Sequence, residues 1–145
     1  MPNTGYDWGT WDFVTYSTGS DIDGVAVNDD ASLTSDAIDC DGLASIAFGI
    51  LAVEDNTGAI NGVVTVCILC EVASGVYEEI AGLAGAQVGS PYKFSFTPVQ
   101  NDTVPIRFSL SVKDWHNIKI ALLNESGQQL AFDVQMESSS VPVAS

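Results

Sequence analysis

Positive charge is nearly missing from this chain. Lys93, Arg107, Lys113 and Lys119 are its only basic residues against 19 carboxylates, and residues 1–92 hold 14 of those carboxylates without one cation. A surface this acidic repels phosphates, which argues against nucleic acid and membranes as partners. A protein, a sugar or a cation suits it better. Long apolar runs are also missing: none reaches the ~18 residues needed to span a bilayer. The first eight residues, Met1 to Trp8, have neither a basic stretch nor an apolar core, so no signal peptide is expected there. Cysteine is scarce and odd in number, with Cys40, Cys67 and Cys70 alone. That count argues against a disulfide framework and for folding in a reducing compartment.

Catalytic signatures are lacking too. His116 is the single histidine, no Gly-x-Ser-x-Gly elbow occurs, and no Asp-Thr-Gly suggests an aspartic dyad. His116, between Trp115 and Asn117, reads as a surface turn residue rather than a base, and the protein as not an enzyme. Cys67-Ile68-Leu69-Cys70 spells CxxC, but in a strand the offset of three sends the sulfurs to opposite faces. Zinc would need two more ligands from Cys40 and His116 alone, so three unpaired thiols and no metal or other cofactor are expected. Asp36, Asp39 and Asp41 before Gly42 resemble the front of a calcium loop, without the Glu at loop position 12 or the flanking helices that an EF-hand requires. Asp21-Ile22-Asp23-Gly24 is a weaker version of the same pattern.

What the chain does have is period-two alternation. With 145 residues and 46% hydrophobic content, one domain can bury roughly 68–70% of its unfolded surface. Tyr92, Phe94 and Phe96 alternate with Lys93, Ser95 and Thr97. Ile106, Phe108, Leu110 and Val112 alternate with Arg107, Ser109, Ser111 and Lys113, and Leu130, Phe132, Val134 and Met136 with Gln129, Ala131, Asp133 and Gln135. These are half-buried strands. Residues 117–123 read as another, joined to the last by a turn at Asn124-Glu125-Ser126-Gly127. Leu43–Val53 and Val63–Val72 are further strands, the second apolar on both faces like a central or covered strand; 22–27, 32–38 and 76–81 are shorter candidates. Turns are expected at Asp29-Asp30, Asp41-Gly42, Asn56-Thr57-Gly58, Ser74-Gly75 and Asn101-Asp102. Residues 81–89 fit a loop or a poor helix. Eight or nine short strands make an all-β, antiparallel β-sandwich, with a jelly roll as one way of connecting it.

The ends depart from that pattern. Residues 1–20 hold Tyr6, Trp8, Trp11, Phe13 and Tyr16, five of 13 aromatics, without a strand period. They divide the chain into an extended N-terminal arm at 1–20, a sandwich at 21–137 and a small polar tail at 138–145 expected to fray. The five aromatics are the candidate partner-binding residues: anchors of an arm in a neighbour's pockets, stacking platforms for sugar rings, or cover for the protein's own core. The four cations all fall on outward phases, and gather into one basic patch only if their strands share a face.

From Leu33 onward, several segments carry a resemblance. They are Leu33-Thr34-Ser35-Asp36-Ala37-Ile38-Asp39, Val63 with Thr65-Val66, Val76-Tyr77-Glu78-Glu79, Pro105-Ile106-Arg107-Phe108, and Ile118 through Gly127. Together they resemble small β-sandwich virion proteins of tailed bacteriophages, and the aromatic start resembles capsid cement, or decoration, proteins. The resemblance implies a structural virion protein without catalytic residues, made in the host cytoplasm. It would bind the major capsid protein at the outer capsid surface as a homo-oligomer, a trimer being favoured, and clamp neighbouring capsomers. The alternative from another class is a carbohydrate-binding β-sandwich module of a phage tail or adhesion component.

Overall fold

A computed structural model describes residues 10–54, 58–79 and 92–140, together with the backbone of 7–8. Every regular element among them is a strand. In chain order they are β1 (Asp7–Trp8), β2 (Asp12–Phe13), β3 (Thr15–Tyr16), β4 (Ser20–Asp21), β5 (Val25–Val27), β6 (Ala31–Thr34) and β7 (Ile38–Asp39). There follow β8 (Leu43–Val53), β9 (Val63–Ala73), β10 (Val76–Glu79), β11 (Lys93–Phe96), β12 (Thr103–Ser111), β13 (Asn117–Glu125) and β14 (Leu130–Ser140).

All pairings are antiparallel. The first sheet runs β14–β8–β12, with β1, β2 and β5 along the far side of β14. The second runs β9–β13, flanked by β10 and β11 beside β9 and by β6 and β7 beside β13. From β5 onward the chain changes sheet at β5–β6, β7–β8, β8–β9, β11–β12, β12–β13 and β13–β14. That alternation closes two antiparallel sheets into a jelly roll, so the sandwich expected from the alternation is present, in that connectivity.

Alternation is also what builds the core. Ile46, Phe48 and Ile50 of β8, Val64, Val66 and Ile68 of β9, Ile118, Ile120 and Leu122 of β13, and Leu130, Phe132 and Val134 of β14 are each at most 1% exposed. On the opposite phase, Lys93 and Arg107 face solvent. Each fully buried aliphatic or Phe side chain contributes about 1.5–3 kcal/mol.

The turn after β13 is held from within. Asn124 is fully buried, and its amide donates to the carbonyls of Val27 (2.9 Å) and Gln128 (2.8 Å). Its oxygen accepts from Ser126 N (3.1 Å) and Ser126 Oγ (2.7 Å). Every hydrogen-bonding site of a buried amide is thereby matched, which is the condition for burying it without loss. Gly62 lies so close to this turn that a Cβ there would overlap the carbonyl oxygen of Glu125.

Three expectations are corrected, and the question of a basic patch is answered. Where it is described, the segment 1–20 does not leave its own sandwich. β1 and β2 pair with β14, Val14 N donates to Val134 O (2.9 Å), and Val14 is 3% exposed within the core. Pairs too short to show a period still form because β14 offers them a ready ladder. The sandwich also continues past 137, since β14 runs to Ser140; residues 141–145 lie outside the described part, as do 81–89 and Asn56-Thr57. The candidate strand 32–38 is split, because Ser35 turns its hydroxyl to accept from Ile120 N (2.9 Å) and frees Asp36 for another task. The three cations that lie on strands do not share a sheet face: Lys93 and Lys119 point outward from the second sheet and Arg107 from the first.

Candidate functional site

Of the five expected partner-binding aromatics, the side chains of Trp11, Phe13 and Tyr16 are described. Tyr6 lies outside the described residues, and only the backbone of Trp8 is described, paired with Ser139. Phe13 and Tyr16 are half-buried, and Tyr16 packs against the core. Trp11 lies on the outer face of the first sheet, where Gly49 leaves room for it: a Cβ at Gly49 would come within 3.4 Å of the indole. The Arg107 guanidinium sits 4.8 Å from the ring centroid, a cation–π contact. That ring is engaged with its own sheet. Beside it is a shallow groove of about 290 Å³ lined by Leu51, Pro105, Ile106, Asp133 and Gln135.

The groups singled out for chemistry are likewise taken up locally. The three thiols are free. Cys70 faces the core and Cys67 the outer face, as their odd spacing dictates, with Cys67 Sγ donating to Glu79 Oε1 at 3.3 Å. Burial pushes Cys40 and Cys67 up to about 12, the latter helped by Glu79, and Cys70 up to about 11. All three are weak nucleophiles at neutral pH.

The three aspartates of the calcium-like run diverge. Asp36 accepts from Thr15 Oγ1 (3.0 Å), Thr18 N (3.1 Å) and Gly19 N (2.9 Å), Asp39 accepts from Asp41 N (2.9 Å), and Asp41 lies 2.7 Å from His116 Nδ1. Among the described residues, no group of three or more His, Cys, Asp or Glu is placed to hold a metal. The Asp36 contacts fasten the β3–β4 hairpin, whose turn residues Ser17 and Thr18 have φ of 49° and 63°. The Thr18 amide, above all, holds the Asp36 carboxyl below its ordinary range.

A different region stands out. β12 pairs with β8 along its whole length, without a register break, and among the described strands it has no partner on its other side. Glu54 N donates to Asp102 O (3.1 Å) and Val112 N to Ala44 O (3.0 Å), which sets the phase of the ladder. Even-numbered residues bond to β8, and the odd-numbered Thr103, Pro105, Arg107, Ser109 and Ser111 direct their backbone groups away. Thr103 N is capped by Asp102 Oδ1 (2.8 Å), and Pro105 has no N–H. The amides of Arg107, Ser109 and Ser111 are therefore directed outward.

Across the sandwich from β12 lies β11. Phe94 meets Phe108 edge-on at 4.9 Å, and Phe108 stacks on Phe48 at 5.3 Å. Tyr92, Phe94, Phe96, Ile106 and Phe108 are only half-buried here, and Val99, in the connection, is 51% exposed. The charge reverses as well. Residues 92–113 carry three of the four cations and one carboxylate, Asp102, against one cation and 18 carboxylates elsewhere. Sequence reasoning passed over this flank, though Pro105 within a strand is a signal of an edge. Compared with known proteins, the chain matches no protein-family model and no curated sequence.

Proposed function

We propose that this protein is a non-catalytic structural component of a tailed-phage virion: a cement protein that docks as an oligomer, preferably a trimer, on the outer capsid surface. The observation that carries the reading is the flank of β11 and β12, where half-buried aromatics, an open strand edge and reversed charge coincide on an otherwise acidic sandwich. Such a flank serves contact rather than turnover. The segments behind the resemblance to virion proteins form framework in the second sheet, β12 and the β13–β14 turn. Exposed Val72 (55%) and Val76 (44%) at the β9–β10 turn add apolar contact area. Docking on the major capsid protein would stabilise only the assembled shell, by mass action, and so hold neighbouring capsomers together.

The test is to mix the purified protein with undecorated shells of the phage whose genome carries this sequence. Saturable co-sedimentation, with a higher disruption temperature of the shell, is expected. Shells that neither bind the protein nor gain stability would overturn the reading. The groove beside Trp11, with Asp133 and Gln135 at its wall, favours a second reading as a carbohydrate-binding module. Saturable quenching of Trp11 fluorescence by saccharides, lost in Trp11→Phe, would support it.

A further inference from the structure

Of the sheet edges, that of β12 alone is long, regular and uncovered among the described residues. The far side of β14 is taken by β1, β2 and β5, and both edges of the second sheet are broken into strands of two to four residues. Natural edges are usually blunted by bulges, inward charges or short length. β12 is nine residues without a bulge, and what blunts it, Pro105 and the Asp102 cap on Thr103 N, lies toward one end.

We propose that β12 is a strand-addition site that takes an extended acidic segment of a partner protein, with apolar and carboxylate side chains alternating along it. Main-chain bonds would form at Arg107, Ser109 and Ser111, the mode by which exposed sheet edges capture peptides. One row of the added strand would point toward the core side and cover the exposed flanks of Ile106 and Phe108. The other would share the outer face with Arg107, which is 64% exposed although 3.4 Å from Glu137. Charge selects this occupant. Arg107 is the one charged side chain within β12, whereas a second copy's β12 would set that cation against its own counterpart. The inference stands apart from the virion reading, because it specifies the chemistry of the docked segment and not its source.

The experiment uses the full chain and two fluorescent peptides as long as β12, one alternating glutamate with valine and one lysine with valine. Anisotropy should show the acidic peptide binding at least about tenfold more tightly than the basic one, with affinity falling as salt rises. Amide hydrogen exchange at Arg107, Ser109 and Ser111 should slow by about tenfold or more in the complex. Ser109→Pro removes an N–H that points away from β8, so it should leave the thermal midpoint close to wild type while weakening binding about tenfold. Arg107→Glu, which leaves the backbone intact, should invert the preference between the two peptides. No binding of the acidic peptide, unchanged exchange at those amides, or equal binding by both variants would overturn the proposal. So would a wild-type dimer in light scattering that Ser109→Pro abolishes, which would assign the edge to a second copy.

Discussion

The two flanks of the sandwich handle their strand edges in opposite ways. On one, β14 is covered by β1, β2 and β5, the β3–β4 hairpin is clasped by Asp36, and Val14 and Ile22 complete the core. On the other, β12 has no partner on its outer edge among the described residues, aromatic side chains stay half-exposed, and the sequence from 92 to 113 is richer in cations than in carboxylates. Unpaired backbone groups and apolar surface at an edge invite association, so natural sheets suppress them wherever no partner is wanted. Suppressing them on one side and not the other is what the proposed docking at β12 would require. The described part of the N-terminal segment covers β14, and its Trp11 reaches the outward face of Arg107 on β12.

Deleting residues 1–20 strikes the closed flank hardest. It strips the cover from β14, removes Val14 from the core and leaves Asp36 without the hairpin it holds. Val14 alone is worth about 1.5–3 kcal/mol, and the lost backbone bonds add to that, so a loss of several kcal/mol or outright unfolding is expected in urea denaturation. A truncated protein of wild-type stability would mean that the segment is an arm after all, and the asymmetry between the flanks would vanish.

A pair of phenylalanines sharpens the same contrast. Phe132, fully buried at the centre of the first sheet, should cost about 3–5 kcal/mol on replacement by Ala. Phe108, half-buried at the open flank, should cost less, about 1–3 kcal/mol, since part of its surface is already in water. Equal losses in parallel denaturation curves would show that the open flank is covered in solution.

Most of the framework was legible in the residues because alternation is a statement about two faces, and Phe94, Phe108, Phe132 and Ile120 obey it. The strand bounds of Leu43–Val53 follow directly from that alternation and its flanking turns. Residues 7–16 were not legible: two-residue strands have no period, and their pairing is decided by an edge of β14 more than a hundred residues away. Asp36 shows the same limit. Its spacing to Asp39 and Asp41 suggested a cation, yet its partners Thr15, Thr18 and Gly19 come from the hairpin brought beside it by the fold. The open flank was half-legible. Pro105 and the scarcity of carboxylates from 92 to 113 are visible in the chain, but that β11 and β12 face each other follows only from the jelly-roll connectivity.

Asp36→Ala should loosen the closed flank without touching the open one. The variant should unfold at lower denaturant than wild type at neutral pH, while amide exchange at Ser109 and Ser111 stays unchanged. Because the folded-state carboxyl is held below its ordinary range, its contribution is present above that range and is lost as the pH falls through the folded value. The gap between variant and wild type should therefore close in strong acid. A gap that stays constant down to that pH would show that packing, rather than the carboxylate, is what the hairpin loses.

The smallest effect is expected at the contact between His116 and Asp41, which ties the start of β13 to the turn after β7 on the closed flank. Both side chains are exposed and lie 2.7 Å apart, and the Asp41 carboxylate, helped by Glu71 and Asp39, raises the His116 pKa above its ordinary value. A raised value means that the folded state favours the imidazolium. Its contribution is complete below the ordinary histidine range and disappears as the pH rises through the folded value. Solvent screens such a pair, so the change in unfolding midpoint should be slight, and the sensitive readout is the imidazole titration followed by NMR. The wild-type midpoint should lie above the ordinary value, and Asp41→Asn should bring it back toward that value while leaving β12 amide exchange unaltered. An unchanged midpoint in Asp41→Asn would transfer the effect to Glu71, and a change in β12 exchange would mean that the two flanks are coupled through the core rather than independent.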